Sequence, residues 1–216
     1  FAAFLLRWQH VHPDHRRNGP EGRLRVAAQL QGLDFPVAFW EQELLPSRLE
    51  HYDPAWLDQL GLSGQLVWRP FEPGASGRLG FALRENLCWL APAPEPEPLL
   101  DDRAKALLRH LQLHGASFVM DFQKSIGLEL HEVLVLLWRL FWQGLVTTDS
   151  FETIRRGAPA PPKLSLPSPV PVRRRPTRRE AQALVRQRLG ATLPLGRWSL
   201  LSADPMAQPE QRAEEW

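Results

Sequence analysis

DDRAKALLRHLQLHGASFVMDFQKSIGLELHEVLVLLWRLFWQGLVTTD, residues 101–149, decides the fold. Asp101 and Asp102 stand where negative charge suits a helix N-terminus. Gly115 ends that first helix, 118–126 forms a second that stops at Gly127, and 129–143 forms a third closed by Gly144. The β-branched LVTTD then reads as a strand. Helix, turn, helix, turn, helix, strand is the order in which a winged-helix domain begins, an architecture that holds nucleic acid or a partner protein.

The same order precedes it. A short apolar helix over 1–9 leads into the loop HVHPDHRRNGP. Pro20 opens a helix over 21–31, and Pro36 opens another to about 48, with Val37, Trp40, Leu44 and Leu45 on one face. Asp53 caps a third helix over 55–62, with Pro54 at its first position. QLVWRPF and RLGFALRE then read as a hairpin around EPGASG. Leu57, Leu60 and Gly64 recur at the same spacing as Leu137, Leu140 and Gly144, an internal echo of one supersecondary unit. The expected fold is mainly α with short β-hairpins, as tandem winged-helix-like modules.

The expected divisions are 1–18, the end of a preceding helical domain; 19–90, the first unit; 91–100, a stiff Pro-rich linker containing APAPEPEP; 101–201, the second unit; and 202–216, the start of a further domain. The abrupt apolar start and the truncated helix start at the end lead us to expect a fragment of a longer polypeptide. LVTTD has no adjacent partner strand. RWSLL at 197–201 is the candidate, which makes 151–196 an insertion in the second wing. Seven prolines between Ala158 and Pro176 predict an extended first part, and Thr177–Glu180 is a capping box opening a helix to Leu189.

Net charge is +2 in 216 residues, but its distribution is uneven. Residues 1–150 carry 14 Lys and Arg against 18 Asp and Glu, whereas 151–216 carry 12 against 6. All the cations except Lys105, Lys124 and Lys163 are arginine, whose planar fork suits phosphate. Arg173, Arg174, Arg175, Arg178, Arg179 and Arg186 are the candidate nucleic-acid contacts. Several sit at a helix N-terminus, where the macrodipole disfavours cations and an anionic partner relieves them. Such contacts position a strand without reading its sequence.

The helix over 129–143 is apolar nearly all round. Val135, Trp138 and Trp142 form a second stripe and are the candidate interface with another domain or subunit. With only Arg139, Gln143 and His131 as polar side chains, that helix is a poor groove reader. Trp8, Trp40, Trp56, Trp68 and Trp89 read as core or interface residues.

His10-Val-His12-Pro-Asp14-His15 matches the spacing of a two-zinc hydrolase motif. An amphipathic helix precedes it where a buried strand belongs, and His51, His110, His114 and His131 lack ligand spacing, so no metal site is assigned. A phosphate-binding loop, an Asp-Glu metal box and a Gly-x-Ser-x-Gly elbow are all missing from the sequence. The lone Cys88 reads as a packed thiol. No catalytic residue is assigned. A single cysteine, no signal peptide and no long apolar run point to a cytoplasmic protein without a membrane segment.

FLLRWQHV (4–11), GPEGRLRVAAQLQG (19–32), FWEQELLPSRLEHYDPAWLDQLGLSGQLVW (39–68), ALRENLCWL (82–90), QGLVTTDSFETIR (143–155) and GRWSLL (196–201) together resemble the C-terminal part of the large helicase-related (Lhr) proteins. These are superfamily 2 ATP-dependent helicases. The resemblance implies upstream motor domains that bind ATP and Mg, with no cofactor in this part. It implies a C-terminal array of winged-helix modules, and partners in DNA, or RNA as a second class, and in the helicase core of the same polypeptide. It also implies a role in DNA repair. Some members carry glycosylase activity, and none of its residues is carried onto this chain. The expected role is therefore a non-motor module that scaffolds the motor and contacts nucleic-acid backbone. The alternatives are a purely structural or homo-oligomeric interaction module, and a zinc hydrolase.

Overall fold

The computed structural model describes residues 1–72, 77–90, 100–157 and 196–201. Residues 73–76 of the first hairpin turn, 91–99 of the expected linker 91–100, the insertion from 158 to 195 with its capping box, and the region 202–216 lie outside the described residues.

The first unit follows α1 (Ala2–Trp8), whose residues are all exposed. α2 (Gly19–Leu30) buries Val26, Ala27 and Leu30 on one face. β1 (Phe35–Pro36) leads into α3 (Val37–Phe39), which continues as a π turn over Trp40–Leu44. A regular helix was expected here. On one, Trp40 and Leu45 would stand about 140° apart, at opposite edges of the face expected for them. The π turn, closed by Leu45 N–H donating to the Trp40 carbonyl at 3.0 Å, brings both fully into the core. The Trp40 indole N–H donates to the Leu79 carbonyl at 2.8 Å, so a buried donor is satisfied.

α4 (Ala55–Leu62) is capped as its sequence predicts, Asp53 Oδ1 accepting from Ala55 N–H at 2.9 Å. β2 (Leu66–Arg69) and β3 (Arg78–Leu83) form the wing hairpin, with Trp68 opposite Phe81, and β1 adds to the far side of β3 in the order β1-β3-β2. α5 (Leu87–Leu90) closes the unit.

The second unit repeats the plan. α6 (Asp102–His114) is capped by Asp101 Oδ1 on Ala104 N–H at 2.8 Å. α7 (Val119–Ile126) begins with the Asp121 carboxylate accepting from Phe118 N–H and ends at Gly127 in the left-handed region. α8 (Leu130–Trp142) and β4 (Val146–Thr148) follow. β5 (Trp198–Leu200) pairs antiparallel with β4, Thr148 opposite Trp198 and Val146 opposite Leu200, which is the pairing expected of LVTTD and RWSLL. A bridge between Ser117 and Trp198 takes the place that β1 has in the first unit.

The echo between the units has a physical basis. Leu57, Leu60, Leu137 and Leu140 are all buried, at matching places on the two third helices. Gly64 at φ 73° and Gly144 at φ 72° make the left-handed turn from each helix into its strand, a conformation that costs a side chain dearly. One hydrophobic core runs through both units, from Leu30, Trp40, Leu57 and Trp68 to Phe122, Leu137, Phe141 and Trp198.

Expectation and structure part at 151–157. The insertion does not leave the wing at once. Phe151–Gly157 forms α9, which packs back on the first unit.

Candidate functional site

In a winged-helix domain the third helix is the usual groove reader. In the first unit that helix is α4, and α9 packs against one side of it. Asp58 of α4 accepts from the Glu152 backbone N–H at 2.8 Å and from Ser150 Oγ at 3.3 Å, so it caps a helix belonging to the other unit. One turn on, Arg155 lays its fork on Glu41, Nε to Oε2 and Nη2 to Oε1 both at 2.8 Å. It also pairs with Glu152 of its own helix and reaches Asp58 at 3.7 Å. Tyr52 donates its hydroxyl to Glu41 Oε1 at 2.9 Å.

Electrostatics match this geometry. The hydrogen bond to Glu41 raises the Arg155 pKa. Burial pushes the Tyr52 phenol up, reinforced by Glu41, and burial pushes the Asp58 carboxyl up against the opposing pull of Arg155. An apolar seam lies alongside. Phe151 packs on Trp68 with ring centroids 4.3 Å apart, and Thr147 Oγ1 donates to the Trp68 carbonyl at 2.7 Å, drawing β4 beside β2. Gly61 makes the approach of α4 possible, because a Cβ there would overlap the Asp149 carbonyl.

α8 is likewise turned inward. Of the stripe expected to be an interface, Trp142 is buried, Trp138 stacks edge-on to Trp198 of its own wing at 5.4 Å, and Val135 is 65 % exposed. Two of its charged groups are paired: Arg139 with Asp101 at 2.8 Å, and Glu132 with Arg103 at 2.9 Å. Hydrogen bonds from Ala104 N–H and Arg139 hold the Asp101 carboxyl below its usual range, and those from Glu129 N–H and Arg103 do the same for Glu132.

The His10–His15 motif does not converge. His10 turns to Arg17, His12 Nδ1 accepts from Asp14 N–H within the loop, and no group of three potential ligands able to hold a metal occurs among the described residues. Arg173, Arg174, Arg175, Arg178, Arg179 and Arg186 lie outside the described residues. Trp40, Trp56 and Trp68 are core, whereas Trp8 is 62 % exposed. Among the described residues no helix is long and apolar enough to cross a membrane.

Sequence reasoning missed the Glu41–Tyr52–Asp58–Arg155 junction. One local signal existed: Ser150 before Phe151 and Ile154, three apart, is a helix start, and Thr153 N–H does donate to Ser150 Oγ. The Arg155–Glu41 contact itself spans 114 residues and leaves no local trace.

The winged-helix domain of the large helicase-related protein matches residues 1–84. The "Lhr helicase/ probable uracil glycosylase" of Mycolicibacterium smegmatis (strain ATCC 700084 / mc(2)155) is 30% identical over 217 residues, covering 97% of this chain and 14% of that protein. The "Lhr helicase/uracil glycosylase" of Escherichia coli (strain K12) is 27% identical over 208 residues, covering 89% of this chain and 13% of that protein. The chain thus spans about one seventh of the length of these curated relatives. With winged-helix geometry in both units and a match running nearly end to end, the chain belongs to the large helicase-related (Lhr) family.

Proposed function

We propose that this chain is a non-motor module of an Lhr-type helicase that scaffolds the motor and contacts the nucleic-acid backbone, in DNA repair. One observation carries the reading: both third helices put most of their apolar residues into internal packing, α4 beside α9 and α8 against its own wing. That packing disfavours groove reading and supports backbone contact through cations. The segment between α9 and β5 supplies them. It carries Arg173, Arg174, Arg175, Arg178, Arg179, Arg186 and Arg188 against a single carboxylate, Glu180. ATP, Mg and the hydrolase chemistry would belong to motor domains outside these residues, and no residue here is assigned to glycosylase chemistry.

The test is binding of single-stranded and duplex DNA of unrelated sequences by the 216-residue chain across a salt series. We expect affinity to fall steeply with salt, to ignore sequence, and to weaken when Arg173–Arg175 are changed to Ala. Salt-independent or sequence-specific binding contradicts the reading. A second reading, a protein-interaction module, is favoured by α1, where Phe4 and Trp8 stand 61 % and 62 % exposed. It predicts a solution mass above the monomer that Trp8→Ala reduces.

A further inference from the structure

A second cluster of cations lies in the first unit, far in sequence from the arginine-rich insertion. The loop after α1 is stitched to the segment after the π turn: Arg17 N–H donates to the Arg48 carbonyl at 2.8 Å, and Glu50 N–H donates to the Arg17 carbonyl at 3.0 Å. Gly22 of α2 lets this loop lie directly on the helix, a Cβ there falling 3.0 Å from Arg17 Cβ. Arg25 stands one turn beyond Gly22, on the same side of α2. Three arginines from three segments are thus gathered around His10, whose Nε2 accepts from Arg17 Nε at 3.3 Å.

Among the described residues these cations lack anionic partners: none of Arg17, Arg25 and Arg48 makes an ion pair. Glu50, the adjacent carboxylate, is engaged by the Asn18 amide at 3.0 Å. Arg48 spends one nitrogen on the Leu44 carbonyl and Ser47 Oγ, while its Nε is buried without a partner. The imidazole registers the same field: burial first, then Arg17, Arg25 and Arg48, lower the His10 pKa against an opposing backbone hydrogen bond at His15. His10 also holds a positive φ of 58°, which a non-glycine residue adopts rarely, so the loop is fixed in an unusual path. Gathered, unpaired guanidinium groups are stabilised by an anion, and planar forks suit phosphate oxygens.

We propose that His10, Arg17, Arg25 and Arg48 form a phosphate-binding site that takes a backbone phosphodiester of the nucleic acid. The site rests on the reading that this chain meets nucleic acid, and it uses a different set of residues from Arg173–Arg186. Free phosphate shares the same chemistry, so the experiment has an arm for each source.

The probe is a fluorescent oligothymidylate about 20 nucleotides long, titrated into the 216-residue chain over a salt series, with inorganic phosphate as competitor. Arg25→Glu and Arg17→Ala are made in the parent and in the background with Arg173–Arg175 changed to Ala. Arg25 is exposed, so its replacement leaves folding intact, and circular dichroism checks both variants. We expect each variant to weaken binding several-fold in both backgrounds and to lower the log–log salt slope by about 1. Unchanged affinity and slope for both variants overturn the site. So does inorganic phosphate bound by the parent, lost in the variants, while oligothymidylate affinity stays the same. If the Arg173–Arg175 change alone has no effect while Arg25→Glu does, the insertion reading fails and this site stands.

Discussion

Arg155 ties the two units together more specifically than any other side chain described, because its planar fork meets Glu41 at both nitrogens while Tyr52 holds the same carboxylate. Its side chain is 28 % exposed, so solvent screens part of the pair. We expect Arg155→Ala to cost about 2–3 kcal/mol in urea denaturation, most of it from leaving Glu41 and Asp58 half-buried without their cation. Arg155→Lys keeps the charge but loses the two parallel bonds, and we expect it to recover less than half of that loss. His110 gives a pH handle. Its ring lies between Ser125 Oγ at 2.8 Å and Ser117 Oγ at 3.2 Å, and burial lowers its pKa from the ordinary 6.5. The unfolded chain therefore binds the proton more readily. The His110 contribution is complete above about pH 6.5 and declines as pH falls below it towards the lowered folded value. Unfolding free energies at several pH values should show that slope, and His110→Asn should flatten it.

At the scale of elements, the joint between α4 and α9 depends on close approach. Gly61→Ala puts a methyl group into the Asp149 carbonyl, and we expect a loss of about 1–3 kcal/mol by calorimetry, although alanine is the better helix former. Phe151→Ala empties the seat on Trp68 and should cost about 3–5 kcal/mol. The helices, caps and wing hairpins were largely legible because their causes are local: Asp53 and Asp101 as caps, Gly64, Gly127 and Gly144 as left-handed stops. Even the β4–β5 pairing across the long insertion was readable, since LVTTD needed a partner and RWSLL was the strand left over. The π turn at Trp40–Leu44 was not, because residues in π and α turns look alike and only the core decides which turn buries Trp40 and Leu45 together. Nor was the direction of Trp138, whose spacing with Trp142 fits an outer stripe as well as it fits contact with a distant Trp198.

For the whole molecule, the consequence is that two winged-helix units share one core, to which both third helices give their larger apolar face. The contacts we propose are cationic instead, the loop carrying Arg17 and the arginine-rich sequence 173–186, a chemistry suited to holding phosphate without reading bases. Hydrogen–deuterium exchange of the 216-residue chain with and without single-stranded DNA tests this most directly. The account predicts added protection around residues 173–186 and in the segments carrying Arg17 and Arg48, with α4 and α8 unchanged. Protection concentrated on α8 around His131, Val135 and Arg139, with the arginine segments unaffected, would contradict it.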